Sequence, residues 1–133
     1  LGPLCNPAGV KRQLMGIFEG SLTDKIAEVL KKLNSKIAMV VHGYEGLDEI
    51  STTASTKISY LKSNNSIESM AISPSEFGFN TTNLENLRGG TPDENAKIIL
   101  DILNGNDLGP KRDIVVLNAG AGILIGGKTD FYA

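Results

Sequence analysis

Five consecutive apolar residues, Ile37-Ala38-Met39-Val40-Val41, constrain this chain more than any other feature. A strand with one wet face alternates apolar and polar side chains. An unbroken apolar run describes instead a strand covered on both faces, as in parallel sheets flanked by helices. The residues upstream supply a cover. Leu22, Ile26, Val29, Leu30 and Leu33 recur at helical spacing, with Lys25, Glu28, Lys31 and Lys32 on the opposite side. Ser21 is placed to cap this helix, with Asp24 three residues on in a weak form of the capping box. Further upstream, Gln13-Leu14-Met15-Gly16-Ile17-Phe18 reads as a second buried strand. Strand, helix, strand with short connections predicts a right-handed βαβ unit in which residues 13–18 and 36–42 form adjacent, parallel strands.

The pattern changes after Gly43. Residues 52–61 are rich in β-branched and hydroxyl side chains, Ser63-Asn64-Asn65-Ser66 is a turn, and residues 67–72 alternate, which together predict a hairpin toward one sheet edge. Ser73-Pro74-Ser75-Glu76 starts a tight turn, and Arg88-Gly89-Gly90 a loop. Thr91-Pro92-Asp93-Glu94 is a helix start, with a Thr cap, Pro at the first helical position and two acids in the first turn. Ala96, Ile99, Leu100 and Leu103 would be the inner stripe of that helix, and Gly105 its stop. Residues 110–127 are apolar nearly all round, as expected of a helix sunk inside a protein. The fold class expected is α/β: a largely parallel sheet with flanking helices and a β-hairpin. At 133 residues the chain accommodates one such domain.

Composition removes several function classes. A net charge of −2 gives no electrostatic reason to bind nucleic acid or an anionic membrane surface. No stretch approaches the ~20 apolar residues that span a bilayer. Leu1 to Pro7 lack the charged and apolar segments of a signal peptide. The lone Cys5 has no partner for an internal disulfide and no nearby histidine or basic cluster to activate it, so a reducing, cytoplasmic setting is expected. The chain opens on Leu1 rather than Met and stops at Phe131-Tyr132-Ala133, so an excised segment of something longer is the simpler expectation.

Chemistry concentrates after the strand that ends at His42. Gly43-Tyr44-Glu45-Gly46-Leu47-Asp48-Glu49-Ile50-Ser51 follows directly, and loops at the carboxyl ends of parallel strands are where ligands bind. Adjacent carboxylates repel unless a cation or hydrogen-bond donors lie between them. Magnesium suits such a pair, because it takes oxygen ligands, keeps several waters and sits between carboxylates and substrate phosphates. An Asp-Glu pair alone is also common on solvated loops. His42 is read as a hydrogen-bonded structural residue rather than a base, and Lys111-Arg112 as solvated. Asn118-Ala119-Gly120-Ala121-Gly122 lacks a dinucleotide fingerprint, because the third glycine, Gly126, comes one position late. Its small residues are read as close packing of a buried helix.

The longer strings are more specific. Val40-Val41-His42-Gly43 with Gly46-Leu47-Asp48-Glu49-Ile50-Ser51 resembles the acidic metal-binding motif of anthranilate phosphoribosyltransferases. Leu1-Gly2-Pro3-Leu4-Cys5-Asn6-Pro7-Ala8 resembles that family's hinge loop, with Cys5 where Thr or Ala is usual. Leu87-Arg88-Gly89-Gly90 with Glu94-Asn95-Ala96, and then Asn118-Ala119, follow in the family's order and extend the resemblance over essentially the whole chain.

The resemblance implies part of a nucleoside phosphorylase/phosphoribosyltransferase-like catalytic domain. The reaction implied is transfer of a phosphoribosyl group from phosphoribosyl diphosphate (PRPP) to anthranilate, in tryptophan biosynthesis. Asp48 and Glu49 would ligate Mg2+, Gly2 and Pro3 would line the anthranilate pocket, and no residue here would itself be catalytic. Residues 1–133 would be the carboxy-terminal portion of the α/β domain. The family's glycine-rich diphosphate loop, its Lys-His-Gly-Asn stretch, its ribose-phosphate segment and its anthranilate-binding arginine all precede the hinge, and none is present here. The amino-terminal helical domain, which makes the parent's homodimer, is missing as well. The piece alone is therefore expected to be inactive. Two other readings stand beside this one: a related phosphoribosyltransferase or nucleoside-phosphorylase-like enzyme with another acceptor, and a non-catalytic binding module whose acidic loop is merely solvated.

Overall fold

The computed structural model describes residues 2–5 and 8–129. Four strands form one sheet in the order β1 (Arg12–Gly16), β2 (Ile37–Gly43), β3 (Thr56–Leu61) and β4 (Ile67–Ile72). Helix α1 (Thr23–Lys32) connects β1 to β2, and α2 (Pro92–Leu103) and α3 (Pro110–Ile125) follow the sheet. The expected parallel pair is present: Arg12 lies opposite Ile37 and Gly16 opposite Val41. The hairpin is present too, with Thr56 opposite Ile72 and Leu61 opposite Ile67. Its turn closes through Lys62 N–H to Ser66 O at 2.9 Å, with Asn65 left-handed at φ 66°.

The α/β class stands, but the sheet is mixed rather than largely parallel. Residues 44–55 return the chain so that β3 runs antiparallel to β2, and the hairpin turn then reverses β4 against β3. Only the β1–β2 ladder, joined through the α1 crossover, is parallel.

The unbroken apolar run is explained by covers on both faces. Ala38 and Val40 point into a cluster with Met15, Ala27, Leu30 and Leu61 on the α1 side. Met39 and Val41 point the other way, into a cluster with Ile50, Ile58, Ile72, Leu117, Ala121 and Ile125 on the α3 side. All four β2 side chains are at most 1% exposed.

The helices depart from the sequence reading in their faces, not their existence. Helix α1 buries Thr23, Ala27 and Leu30, while Val29 and Leu33 of the expected stripe are 39% and 49% exposed. Ser21 does not cap it. A short 3-10 turn, Gly20–Leu22, comes first, and Glu19 accepts the Ser21 N–H there. Helix α2 starts as expected, with Thr91 and Glu94 exchanging hydrogen bonds in a capping box, and Gly105 follows its end at φ 74°. Its Ile99, Leu100 and Leu103 are nonetheless exposed, and α2 buries no residue. Helix α3 lies on one face of the sheet and is not sunk within the chain: Leu117, Ala121 and Ile125 are buried, whereas Val115, Val116 and Ile123 are exposed. Of its small residues Ala121 packs in the core, but the glycines do not mark close packing, since a Cβ built on Gly120 or Gly122 meets nothing within 4 Å. The carboxyl end of α3 is tied to β1 by Arg12 Nη1, which donates to Ile125 O at 2.6 Å and complements the helix dipole.

Asp24, in the first turn of α1, joins the helix to the hairpin. It accepts from Ser69 and, at 2.7 Å, from Ser59, and pairs with Lys57 at 3.1 Å. The two serine hydroxyls, more than the lysine, lower its pKa from 3.8 to about 2. A depressed pKa contributes stability that is fully present above the ordinary carboxylate value and lost as pH falls through the folded one. Asp24→Asn is therefore expected to destabilise the chain at pH 7, by no more than about 1 kcal/mol because the side chain is 48% exposed. The gap should close as pH falls from 4 toward 2; urea unfolding at several pH values checks this, and a pH-independent gap would count against it.

Candidate functional site

The two parallel strands end side by side, β1 at Gly16 and β2 at Gly43, and the acidic loop sits across their carboxyl ends. Gly43 N–H donates to Leu47 O and Gly46 N–H to Gly43 O, each at 2.8 Å, so the chain reverses within five residues of the strand. Gly46 has φ 112°, which only glycine adopts without strain. Tyr44 N–H donates to Ser55 O at 3.0 Å and anchors the loop's outer limb.

Glu45 turns inward. Its Oε1 accepts from the hydroxyls of Ser51 and Thr53, and its Oε2 is buried with no partner among the described residues. Ser51 in turn receives the Thr53 N–H at 2.9 Å and gives its own N–H to Thr56 Oγ1 at 2.8 Å. The Gly43–Thr56 segment is thereby knitted by hydroxyls around one carboxylate.

Asp48 and Glu49 lie on the exposed rim. Their main chain is held from two sides. A Cβ on Gly16 would lie 1.4 Å from Asp48 O, so β1 must carry glycine there for the loop to seat. On the other side, Asn118 of α3 accepts the Ile50 N–H at 2.9 Å and donates to Ile50 O at 2.8 Å. The Glu49 carboxyl is pushed up, first by partial burial and then by the charges of Asp48 and Glu45. Among the described residues no ion pair involves any of the three acids.

This donor set fits a hard divalent cation: carboxylate oxygens, mutually repelling and without a basic partner. It is not a closed cage, since no group of three His, Cys, Asp or Glu among the described residues is arranged to hold a metal ion. An ion bound here would need ligands from water or substrate, as magnesium commonly does.

The other expected site residues lie apart from the acids. Gly2 and Pro3 are exposed in a short 3-10 helix, Gly2–Cys5, which reaches the α1-side core through Leu4. Leu1, Asn6 and Pro7 of the hinge string fall outside the described residues. No hydrogen bond or ion pair among the described residues links Gly2 or Pro3 to Asp48 or Glu49. His42 is structural: its Nδ1 lies 2.9 Å from Ile17 O, and its ring packs where a Cβ on Gly20 would come within 2.7 Å. A larger cavity of about 520 Å³ lies on the α3 side, lined by Met39, Ile58, Phe77, Phe79 and Leu124 among others, and the acid pair does not line it.

Sequence reading missed three contributors. Glu45 stood in the acidic string without a role; the hydroxyl-rich Ser51-Thr52-Thr53 was a signal that something there accepts hydrogen bonds. Gly16 and Asn118 act through main-chain contacts distant in sequence, which no local pattern announces.

The family described as Glycosyl transferase family, a/b domain, matches residues 1–133. An anthranilate phosphoribosyltransferase from Petrotoga mobilis is 48% identical over 130 residues, which is 98% of this chain and 37% of that protein. The crystal structure of anthranilate phosphoribosyltransferase from Thermus thermophilus is similar with a TM-score of 0.84 at 38% identity, covering 96% of this chain and 37% of that one. The Saccharomyces cerevisiae enzyme, solved in complex with PRPP and Mg, gives a TM-score of 0.83 at 26% identity over 99% of this chain and 38% of that one. The chain thus spans about 37% of the length of the relatives it matches.

The Gly16 contact can be tested. Gly16→Ala places a methyl group against the Asp48 carbonyl, and neither backbone can yield without moving the loop or the strand end. Overpacking of this kind typically costs ~1–3 kcal/mol. The expected result is a lower urea midpoint with amide shift changes concentrated at residues 46–50, and a loop spectrum identical to the parent's would remove the contact from the account.

Proposed function

Because this chain belongs to the glycosyl transferase family, as its a/b domain, we propose that it is a portion of the catalytic domain of an anthranilate phosphoribosyltransferase. In this reading Asp48 and Glu49 are its magnesium ligands. The observation that carries the site is an acid pair without a basic partner, seated at the carboxyl ends of two parallel strands, in a chain whose named relatives share one activity.

The chemistry proposed is phosphoribosyl transfer from PRPP to the amine of anthranilate, within tryptophan biosynthesis. Magnesium, when bound, neutralises negative charge on the leaving diphosphate. This chain's contribution is to hold two oxygen donors at fixed positions. Glu45, with Ser51 and Thr53, keeps the loop shaped beneath them. Gly2 and Pro3 are proposed to form one wall of the anthranilate pocket, where their lack of bulk leaves room for a flat aromatic acid. The remaining length seen in the relatives is proposed to supply the groups that bind diphosphate, ribose phosphate and the anthranilate carboxylate. The assembled enzyme is proposed to be a cytoplasmic homodimer. Consistent with a non-membrane setting, no helix among the described residues is long and apolar enough to cross a membrane.

Two outcomes follow. In a full-length enzyme carrying this segment, Asp48→Ala or Glu49→Ala should lower kcat by ~10²–10³-fold, the range seen when one electrostatic partner of a transition state is removed. Stability should change by less than ~0.5 kcal/mol, because both side chains are exposed. Steady-state assays across magnesium concentrations decide it, and unchanged kcat in both variants would take the pair out of the mechanism. The 133-residue chain alone is expected not to consume anthranilate in the presence of PRPP and magnesium, because the positioning of both substrates, worth ~7–11 kcal/mol of barrier, would be incomplete. Anthranilate fluorescence decaying faster than in a no-protein control, and abolished by Glu49→Ala, would instead make the chain a complete enzyme.

A further inference from the structure

Asn118 stands in the middle of α3, where asparagine is a poor helix former. Three hydrogen bonds account for it. Oδ1 accepts the Ile50 N–H at 2.9 Å, and Nδ2 donates to Ile50 O at 2.8 Å and to Ile114 O at 2.9 Å. The two carbonyls can only accept and the Ile50 N–H can only donate, so the amide has one orientation that satisfies all three. The side chain mimics a neighbouring strand, meeting both main-chain groups of a residue 68 positions away. Ile50 is also pinned by its own side chain, 2% exposed in the cluster that contains Leu117 and Ala121 of the same helix.

The residue so held directly follows Glu49. On the other side of the acid pair, Asp48 O rests against Gly16 of β1. Three consecutive residues are therefore held at both ends by main-chain contacts. No cation among the described residues offsets the repulsion between the two carboxylates.

We propose that Asn118 is a positioning residue for the divalent cation: it clamps the Ile50 main chain so that the segment carrying Asp48 and Glu49 is held in place before the ion arrives. This rests on the reading of the acid pair as metal ligands. The clamp lowers the reorganisation needed on binding, as residues behind metal ligands do elsewhere. It accounts for a polar side chain in the middle of the otherwise apolar stretch Ile114 to Ile125.

The test uses the 133-residue chain and Mn2+ alone, read as paramagnetic broadening of the backbone amide signals of residues 46–51, with Mg2+ as competitor. Asn118→Ala should weaken the apparent Mn2+ affinity by about 10-fold. Leu30→Ala is the control: it loses core contacts on the opposite, α1 side of the sheet and should lower the urea midpoint while leaving the Mn2+ affinity unchanged. The double variant Asp48→Asn, Glu49→Gln should lose the broadening. Unchanged affinity in Asn118→Ala, beside a loss in the double variant, would overturn the clamp and leave the metal reading intact. An equal loss in Leu30→Ala would reduce the Asn118 effect to general stability and overturn it as well. Broadening that survives in the double variant would sink the metal reading itself, and the clamp's purpose with it. If Asn118→Ala does not fold by circular dichroism, Asn118→Gln decides, since it keeps the same groups one methylene farther out. Weaker Mn2+ binding in that variant is expected, and unchanged binding would overturn the proposal.

Discussion

Burial of β2 on both faces is the constraint on which the rest of the structure depends. With Ala38 and Val40 on one side and Met39 and Val41 on the other, this strand has no wet face. It must be an interior strand covered by α1 and by α3. The α1 cover requires a crossover, and a crossover makes β1 parallel to β2 and brings their carboxyl ends together. The α3 cover brings a helix from far along the chain to the same neighbourhood, which is what allows Asn118 to reach Ile50. A polar site with its acids at the surface is thus located by apolar packing beneath it. Removing about one buried methylene from such a strand typically costs ~1 kcal/mol, more than an exposed ion pair contributes. Packing, not charge, decides where the loop sits.

The loop follows the same division of labour in miniature. Glu45 is turned inward among hydroxyls and shapes the turn, while Asp48 and Glu49 face outward and carry the charge. Partial burial first, and then the charges of Asp48 and Glu45, push the Glu49 carboxyl up. In a free peptide such a cluster would spread apart. Here the main chain around them is held by contacts with Gly16 and Asn118. The course of the loop is therefore a property of the scaffold and not of the acids alone.

Much of this was legible in the sequence, and the illegible part has a consistent cause. The parallel pair, the hairpin, the Thr91 capping box and the Gly105 stop are local signals, and each appears where its pattern places it. The acidic loop was legible because a strand end, two glycines and two acids are contiguous. Signals that depend on what lies opposite were read less well. Ser21 looked like a cap because Asp24 follows it at the right spacing, but Asp24 found better donors in Ser59 and Ser69 across the sheet. The run 110–127 looked buried all round because composition counts apolar residues and not neighbours; among the described residues α3 buries Leu117, Ala121 and Ile125 against the sheet and Ile50 and leaves Val115, Val116 and Ile123 exposed. The sheet looked largely parallel because β2 reads as an interior strand, and an interior strand with antiparallel β3 beside it reads the same way.

Helix α2 separates those two kinds of information most sharply. Its beginning and end are encoded within a few residues: Thr91 and Glu94 satisfy each other's main-chain donors, Pro92 fits the first turn, and left-handed Gly105 lets the chain leave the helix axis. Those devices set its length without reference to any partner. Its apolar stripe is another matter, because an apolar side chain specifies only that it should leave water, never what it should meet. Ile99, Leu100 and Leu103 have the spacing of a buried face and are 57%, 58% and 75% exposed. The same distinction applies at the acid pair. Its residue types are legible in the sequence, whereas its main chain is held by Gly16 and Asn118, residues with no charge to announce it.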